Sequence, residues 1–164
     1  MSDANLDHKG RPVIVVTGVG VVTSLGAGRQ DNWAALTAGK SGIHQITRFP
    51  TEGLRTTIGG TVDFLKDVPI SAPLLTERFA VLAVEEAVAQ AKIGSAGNFP
   101  GPLFMAVPPV EVDWPQRIEL YADGANGAVG YDRLLAGARN ADHARYHDLA
   151  SFGWPAEQIA EQFG

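Results

Sequence analysis

Val13-Ile14-Val15-Val16-Thr17-Gly18-Val19-Gly20-Val21-Val22-Thr23-Ser24-Leu25-Gly26 is the stretch on which the fold reading turns. Its first five residues are all β-branched and none is polar on alternate positions. That is the pattern of a strand buried on both faces, as in a parallel sheet. Gly18 and Gly20 break the run, Val21–Thr23 continues extended, and Gly26 and Gly28 supply a turn. A helix is predicted next, from Gln30 to Thr37, with Trp33 and Leu36 three residues apart on one face. Gly39 stands just past its end, where a left-handed cap suits glycine.

Working outward, residues 1–11 are polar and aperiodic and read as a flexible tail ahead of a single domain at 12–164. Thr56–Val62 reads as a second strand, bulged at Gly59-Gly60. Leu75–Ile93 is free of Gly and Pro, follows Pro73, and is the clearest helix of the chain, ended by Gly94. Ala80, Ala83, Ala87 and Ala91 give it a small-residue face for close packing on a sheet. Glu77, Arg78, Glu85, Glu86, Gln90 and Lys92 fill a limited polar sector. Leu103–Val107 is a third buried-strand candidate, stopped by Pro108-Pro109, neither of which has an N–H to donate. Glu111–Tyr121 leaves loop and helix both open, with a helix opening at Trp114. Ala122–Gly130 reads as a loop, Tyr131–Leu149 as helical, and Pro155–Phe163 as a short final helix. The order of strands and helices predicts an α/β fold with a largely parallel sheet.

Composition narrows the function classes. The 164 residues are 45% hydrophobic and 19% charged, a globular balance. The longest apolar run, Val13–Val16, is far short of a bilayer span, so no membrane insertion is expected. Met1–Lys9 has no apolar signal-peptide core, and the cytoplasm is the expected compartment. A net charge of −5 with scattered Lys and Arg argues against nucleic acid as a partner. With no cysteine, this chain holds no disulfide, thiolate–metal site or cysteine nucleophile.

Four constellations invite chemical readings. Gly18-Val19-Gly20 after a strand suggests dinucleotide binding. Yet Thr23 occupies the third glycine position, and no acidic residue follows at ribose distance, so close packing accounts better for these glycines. Gly39-Lys40-Ser41 lacks the upstream glycine of a phosphate-binding loop, since Ala34 stands there. His143 and His147 at i, i+4, with Asp142 and Asp148 nearby, have metal-ligand spacing, but Ala144 stands where a metalloprotease would carry Glu; no metal site is assigned. Glu111 and Asp113, beside the Pro-Pro turn, lie where α/β sheets place ligands, though a surface loop explains them better.

A resemblance adds what these patterns cannot. The opening stretch, with Asn32-Trp33, Leu36, Gly39-Lys40-Ser41-Gly42-Ile43 and Arg48-Phe49, resembles β-ketoacyl-acyl-carrier-protein synthases of the elongating type. Thr76–Ala80 with Ala83, Ala87 and Ala91 is similar to that family's alanine-rich helix. Ile159–Gly164 is similar to the helix end preceding its nucleophile. The resemblance implies a partial thiolase fold, the N-terminal half of a layered α-β-α-β-α architecture. It implies decarboxylative Claisen condensation through an acylated cysteine, with two histidines and an oxyanion hole stabilising developing charge. It further implies an acyl carrier protein as partner, a homodimer, and no cofactor beyond the carrier's phosphopantetheine arm.

Departures from the family pattern temper this. The nucleophilic cysteine is expected shortly beyond Gly164 and the catalytic histidines later still, so the domain is expected to be incomplete and inactive alone. No catalytic role transfers to His8, His44, His143 or His147. Where the family has a glycine-rich loop, this chain has Ala106-Val107-Pro108-Pro109-Val110-Glu111, and Pro109 and Val110 are the expected lining of an acyl pocket. A non-catalytic partner subunit of the chain-length-factor kind and a nucleotide-binding α/β module are the alternatives.

Overall fold

The computed structural model describes residues 5–69, 71–95, 97–106, 113–124, 129–146, 151 and 153–164. Two short antiparallel ladders form. In the first, β1 (Val22–Thr23) pairs with β2 (Gly26–Ala27) in the register Val22↔Ala27. In the second, β3 (His44–Gln45) pairs with β4 (Ile58–Gly59), with His44 opposite Gly59. Helix α1 spans Arg29–Thr37, and Gly39 follows it at φ +67°, the left-handed conformation expected of that glycine.

Helix α2, Ala72–Ala91, is the long element of the chain. It begins earlier than Leu75 because Ser71 is extended and Pro73 fits the first turn, where its missing N–H costs nothing. It ends at Ala91, where Lys92 turns left-handed at φ 56°. Helix α3, Trp114–Asp123, opens at the expected Trp114 and runs two residues into the stretch read as a loop. Helix α4, Gly130–Ala138, stops well short of Leu149. Asn140 interrupts it by accepting the Asp142 N–H at its own side chain, which folds Ala141–His143 into a 3₁₀ turn. Helix α5, Trp154–Phe163, matches the final helix read from Pro155.

The core lies between α2 and α5: Val81, Ile159 and Phe163 are buried, with Ala80, Val84, Phe99 and Met105 packed on them. The backbone extends this seam, since Phe99 donates its N–H to the Phe163 carbonyl at 2.8 Å. Helices α3 and α4 form a separate hairpin. It crosses closely because a Cβ on Gly137 would lie 1.8 Å from the Leu120 carbonyl oxygen. The hairpin is tied back to α2 through Asp113, whose carboxylate accepts the Ala72 N–H at 3.0 Å.

The expected buried strands are corrected here. Val13–Thr17 lies in no strand among the described residues, and Ile14 and Val16 are 92% and 83% exposed. Leu103–Ala106 likewise lies in no strand, with Phe104 90% exposed; Val107 lies outside the described residues. Apolar β-branched residues record a demand for burial, whereas a strand exists only where a neighbour accepts and donates its backbone hydrogen bonds. No parallel pair occurs among the described residues, and both ladders are antiparallel.

Candidate functional site

The segment from Gly18 to Thr23 is seated on the C-terminal half of α2, and side chains of that helix hold it. Val19 donates its N–H to Gln90 Oε1 at 2.8 Å, and Val21 donates to Glu86 Oε2 at 3.0 Å. Residues 86 and 90 are one turn apart, so both reach the same side of the helix. Glu86 Oε1 also accepts the N–H of Arg29, the first residue of α1, at 2.9 Å, and lies 3.7 Å from Arg29 Nε. A carboxylate at this helix start meets the positive end of the dipole and serves an amide that the Gly28 cap, having no side chain, cannot.

Such an approach is open only to glycine. A Cβ on Gly20 would lie 1.7 Å from the Ala83 carbonyl oxygen, and one on Gly18 would lie 2.0 Å from that of Ala87. The alanine face of α2 is thus used as its small residues suggest, against one extended backbone rather than a sheet. The amides a dinucleotide would need at Val19 and Val21 are already engaged by Gln90 and Glu86. The glycine pair is therefore a packing device, as its sequence context implies.

Downstream, buried Asn32 locks the β1–β2 turn. Its Nδ2 donates to the carbonyls of Gly26 at 2.9 Å and Gly28 at 2.7 Å, and its Oδ1 accepts from the Thr23 hydroxyl. The locked turn, α1 and the Gly42–Ile43 bend enclose a groove of about 820 Å³, walled by Val21, Leu25, Trp33, Leu36 and Ile43. Its remaining lining, Thr23, Ser24, Arg29, Gln30, Asn32 and Gly42, includes no carboxylate, histidine or cysteine. Such a groove can receive apolar matter but offers no acid–base pair. A second groove, of about 630 Å³, runs between Thr17–Gly18, α2, Gly101–Phe104 and α5, and is lined mainly by Val84, Ala87, Val88, Phe99 and Phe163.

The described histidines sit apart from both grooves. His44 on β3 contacts the carbonyls of Gln45 and Thr61, each at 3.1 Å, and lies 3.5 Å from Asp63. The Gln45 carbonyl, then those of Thr61 and the Asp63 charge, raise its pKa above the ordinary imidazole value. Arg48 donates to the carbonyls of Val62, Leu65 and Val68 and so organises the loop after β4. His143 is buried and bonds Asp123 Oδ2 at 2.6 Å. His147 and Asp148 lie outside the described residues, and no cluster of three metal-ligating side chains occurs among the described ones.

Pro109, Val110 and Glu111 also lie outside the described residues, so the expected acyl-pocket lining and the Glu111–Asp113 pairing are not located. Asp113 itself caps the start of α2. Glu86 and Gln90 are what sequence reasoning missed, since both look like solvated positions on the polar sector. Their spacing opposite a glycine-paired segment, whose amides must find acceptors, was the available signal.

Comparison with known proteins places these features. The family "Beta-ketoacyl synthase, N-terminal domain" matches residues 11–96. The tetracenomycin polyketide synthase ketoacyl synthase beta subunit of Streptomyces glaucescens is 40% identical over 84 residues, covering 48% of this chain and 20% of that protein. A putative polyketide beta-ketoacyl synthase 1 of Streptomyces cyaneus is 30% identical over 92% of this chain and 36% of its own length. The 3-oxoacyl-acyl-carrier-protein synthase 2 of Coxiella burnetii is 49% identical over 49 residues, 30% of this chain and 12% of that enzyme. The chain thus spans about a third or less of the length of these relatives. No solved structure gives a significant match. The matched span contains the glycine pair, the Asn32 lock, and the Glu86–Gln90 clamp, and the chain belongs to the β-ketoacyl synthase family.

Proposed function

We propose that this chain supplies N-terminal scaffold to a β-ketoacyl synthase that elongates acyl thioesters carried on an acyl carrier protein. The observation that supports the reading is the family match over residues 11–96, the span in which Gly18–Thr23 is clamped on α2. In the reaction, an acyl group is held as a thioester on a cysteine. Loss of carbon dioxide from a malonyl thioester leaves a carbanion, which attacks the acyl carbonyl and expels the cysteine thiolate. Charge on the tetrahedral oxygen is met by preorganised donors. This chain has no cysteine, so it cannot form that thioester with its own residues. Its described histidines in the folded part, His44 and His143, are engaged with carbonyls and carboxylates of the chain itself. Pro109 and Val110 would line the acyl pocket, the working assembly would be a homodimer, and the compartment the cytoplasm.

The test is a condensation assay with acyl- and malonyl-loaded carrier protein, run on residues 1–164 and on the complete reading frame that encodes them. Product from the longer polypeptide and none from the chain alone is the expected result. Turnover by the chain alone would overturn it.

A second reading is a non-catalytic partner subunit that pairs with a ketosynthase and influences chain length. It is favoured by the 40% identity to a relative named as a beta subunit. A residue other than cysteine at the nucleophile position of the longer frame, with condensation appearing only when a ketosynthase is added, would select it.

A further inference from the structure

Helix α4 has two faces, and α3 covers one of them. A Cβ on Gly137 would lie 1.8 Å from the Leu120 carbonyl oxygen, and one on Gly124 would lie 1.7 Å from that of Arg133. Positions 133 and 137 of α4 therefore meet α3. At about 100° per residue, Asp132, Leu135, Ala136 and Arg139 centre on the side turned away from it. All four are exposed, whereas Gly137 is buried and Arg133 and Leu134 are half-buried. Arg139 belongs to this face although it caps the helix, because its backbone is still helical at φ −78° and ψ −12°. Tyr131, in the first turn, adds an aromatic ring that is 72% exposed.

The charges on the outer face are placed symmetrically. Asp132 and Arg139 stand two turns apart, with Leu135 and Ala136 midway between them. Neither charge makes an ion pair or a side-chain hydrogen bond among the described residues. Other charges of the hairpin are engaged: Asp123 with His143, Glu119 with Arg145, and Arg133 with the Tyr121 carbonyl. An antiparallel copy of α4 laid on this face, with the two-fold axis between positions 135 and 136, sets Asp132 of each copy against Arg139 of the other. Leu135 of each copy then meets Ala136 of the other at the centre, where a small residue lets the helices approach. A partner of single charge would satisfy one of the two groups and repel the other, whereas this arrangement satisfies both. We propose that the outer face of α4 is a contact for a second copy of this chain, an isologous antiparallel helix pair. One nine-residue helix from each copy makes a small interface, so the dimer is weak and concentration-dependent. The inference does not use the synthase reading, and a failed condensation assay leaves it standing.

Sedimentation of the full chain tests it, in a form carrying Ile14→Lys and Val16→Lys so that the exposed apolar run does not contribute. A monomer–dimer equilibrium is expected at sub-millimolar concentration. Asp132→Arg alone, or Arg139→Asp alone, sets like charges opposite one another at both ends of the pair. Each is expected to weaken dimerisation roughly tenfold. An equimolar mixture of these two variants restores opposite charges and is expected to associate about as well as the parent. A merely local effect of either substitution on α4 would persist in the mixture. A parent that stays monomeric, single variants that dimerise as the parent does, or a mixture no stronger than its components would overturn the proposal.

Discussion

Gly20 carries more of the structure than its size suggests. The Cβ of any other residue would fall 1.7 Å from the Ala83 carbonyl oxygen, a backbone atom that cannot swing aside. Either the Gly18–Thr23 segment lifts from α2 or the helix shifts. Lifting would break the Val19–Gln90 and Val21–Glu86 hydrogen bonds together. Gly20→Ala is therefore expected to destabilise the chain by about 1–3 kcal/mol, the usual cost of overpacking, read as a lowered denaturation midpoint. Gly39, beyond α1, is a different case. Nothing lies within 4 Å of the place its Cβ would take, and its φ of +67° alone makes it a position for glycine. The sequence displays both glycines equally, and nothing in their immediate context separates a close approach from a cap.

Among elements, α2 organises its surroundings through two faces at once. Its apolar side meets α5 at Val81, Ile159 and Phe163, as helical periodicity would suggest. Its polar side contributes Glu86, which joins α2, the Gly18–Thr23 segment and the start of α1 at one carboxylate. Hydrogen bonds to a charged group contribute about 1.5–3 kcal/mol, so Glu86→Ala is expected to cost that much. Glu86→Gln, which keeps one acceptor, is expected to cost less, the pair being compared by urea titration. Exposed Glu85, adjacent in sequence, points about 100° away on a helix and serves as the control. The existence of α1, α2 and α5 was readable from Pro, Gly and apolar spacing, whereas the sequence left α3 open between loop and helix. The break after α4 was not, because it rests on Asn140 capping Asp142 locally instead of continuing a helix.

Across the whole molecule, the feature with consequences in solution is apolar surface left uncovered. Val13, Ile14, Val15, Val16 and Phe104 are all more than half exposed, and Phe104 lines the groove between α2 and α5. Exposed contiguous apolar surface favours association. The purified chain is expected to self-associate, giving a weight-average mass above its 17.3 kDa in sedimentation. The double substitution Ile14→Lys and Val16→Lys is expected to return it toward the monomer. The helical signal in circular dichroism should stay unchanged, because neither side chain belongs to the α2–α5 core.

The family came from resemblance; the linear pattern of residues by itself was enough to assign α1, α2 and α5, the need for burial at Val13–Thr17 and Leu103–Ala106, and the use of Gly18 and Gly20 for close contact. These are local properties, set by periodicity, caps and backbone freedom within a few residues. Folding settled what lies opposite each of them: Glu86 and Gln90 beneath the glycine segment, Asp123 against His143, and no strand beside Val13–Thr17 among the described residues. Those pairings join groups 20 to 71 positions apart. Partners at that separation leave no periodic trace in the chain, because what selects them is the meeting of surfaces in space.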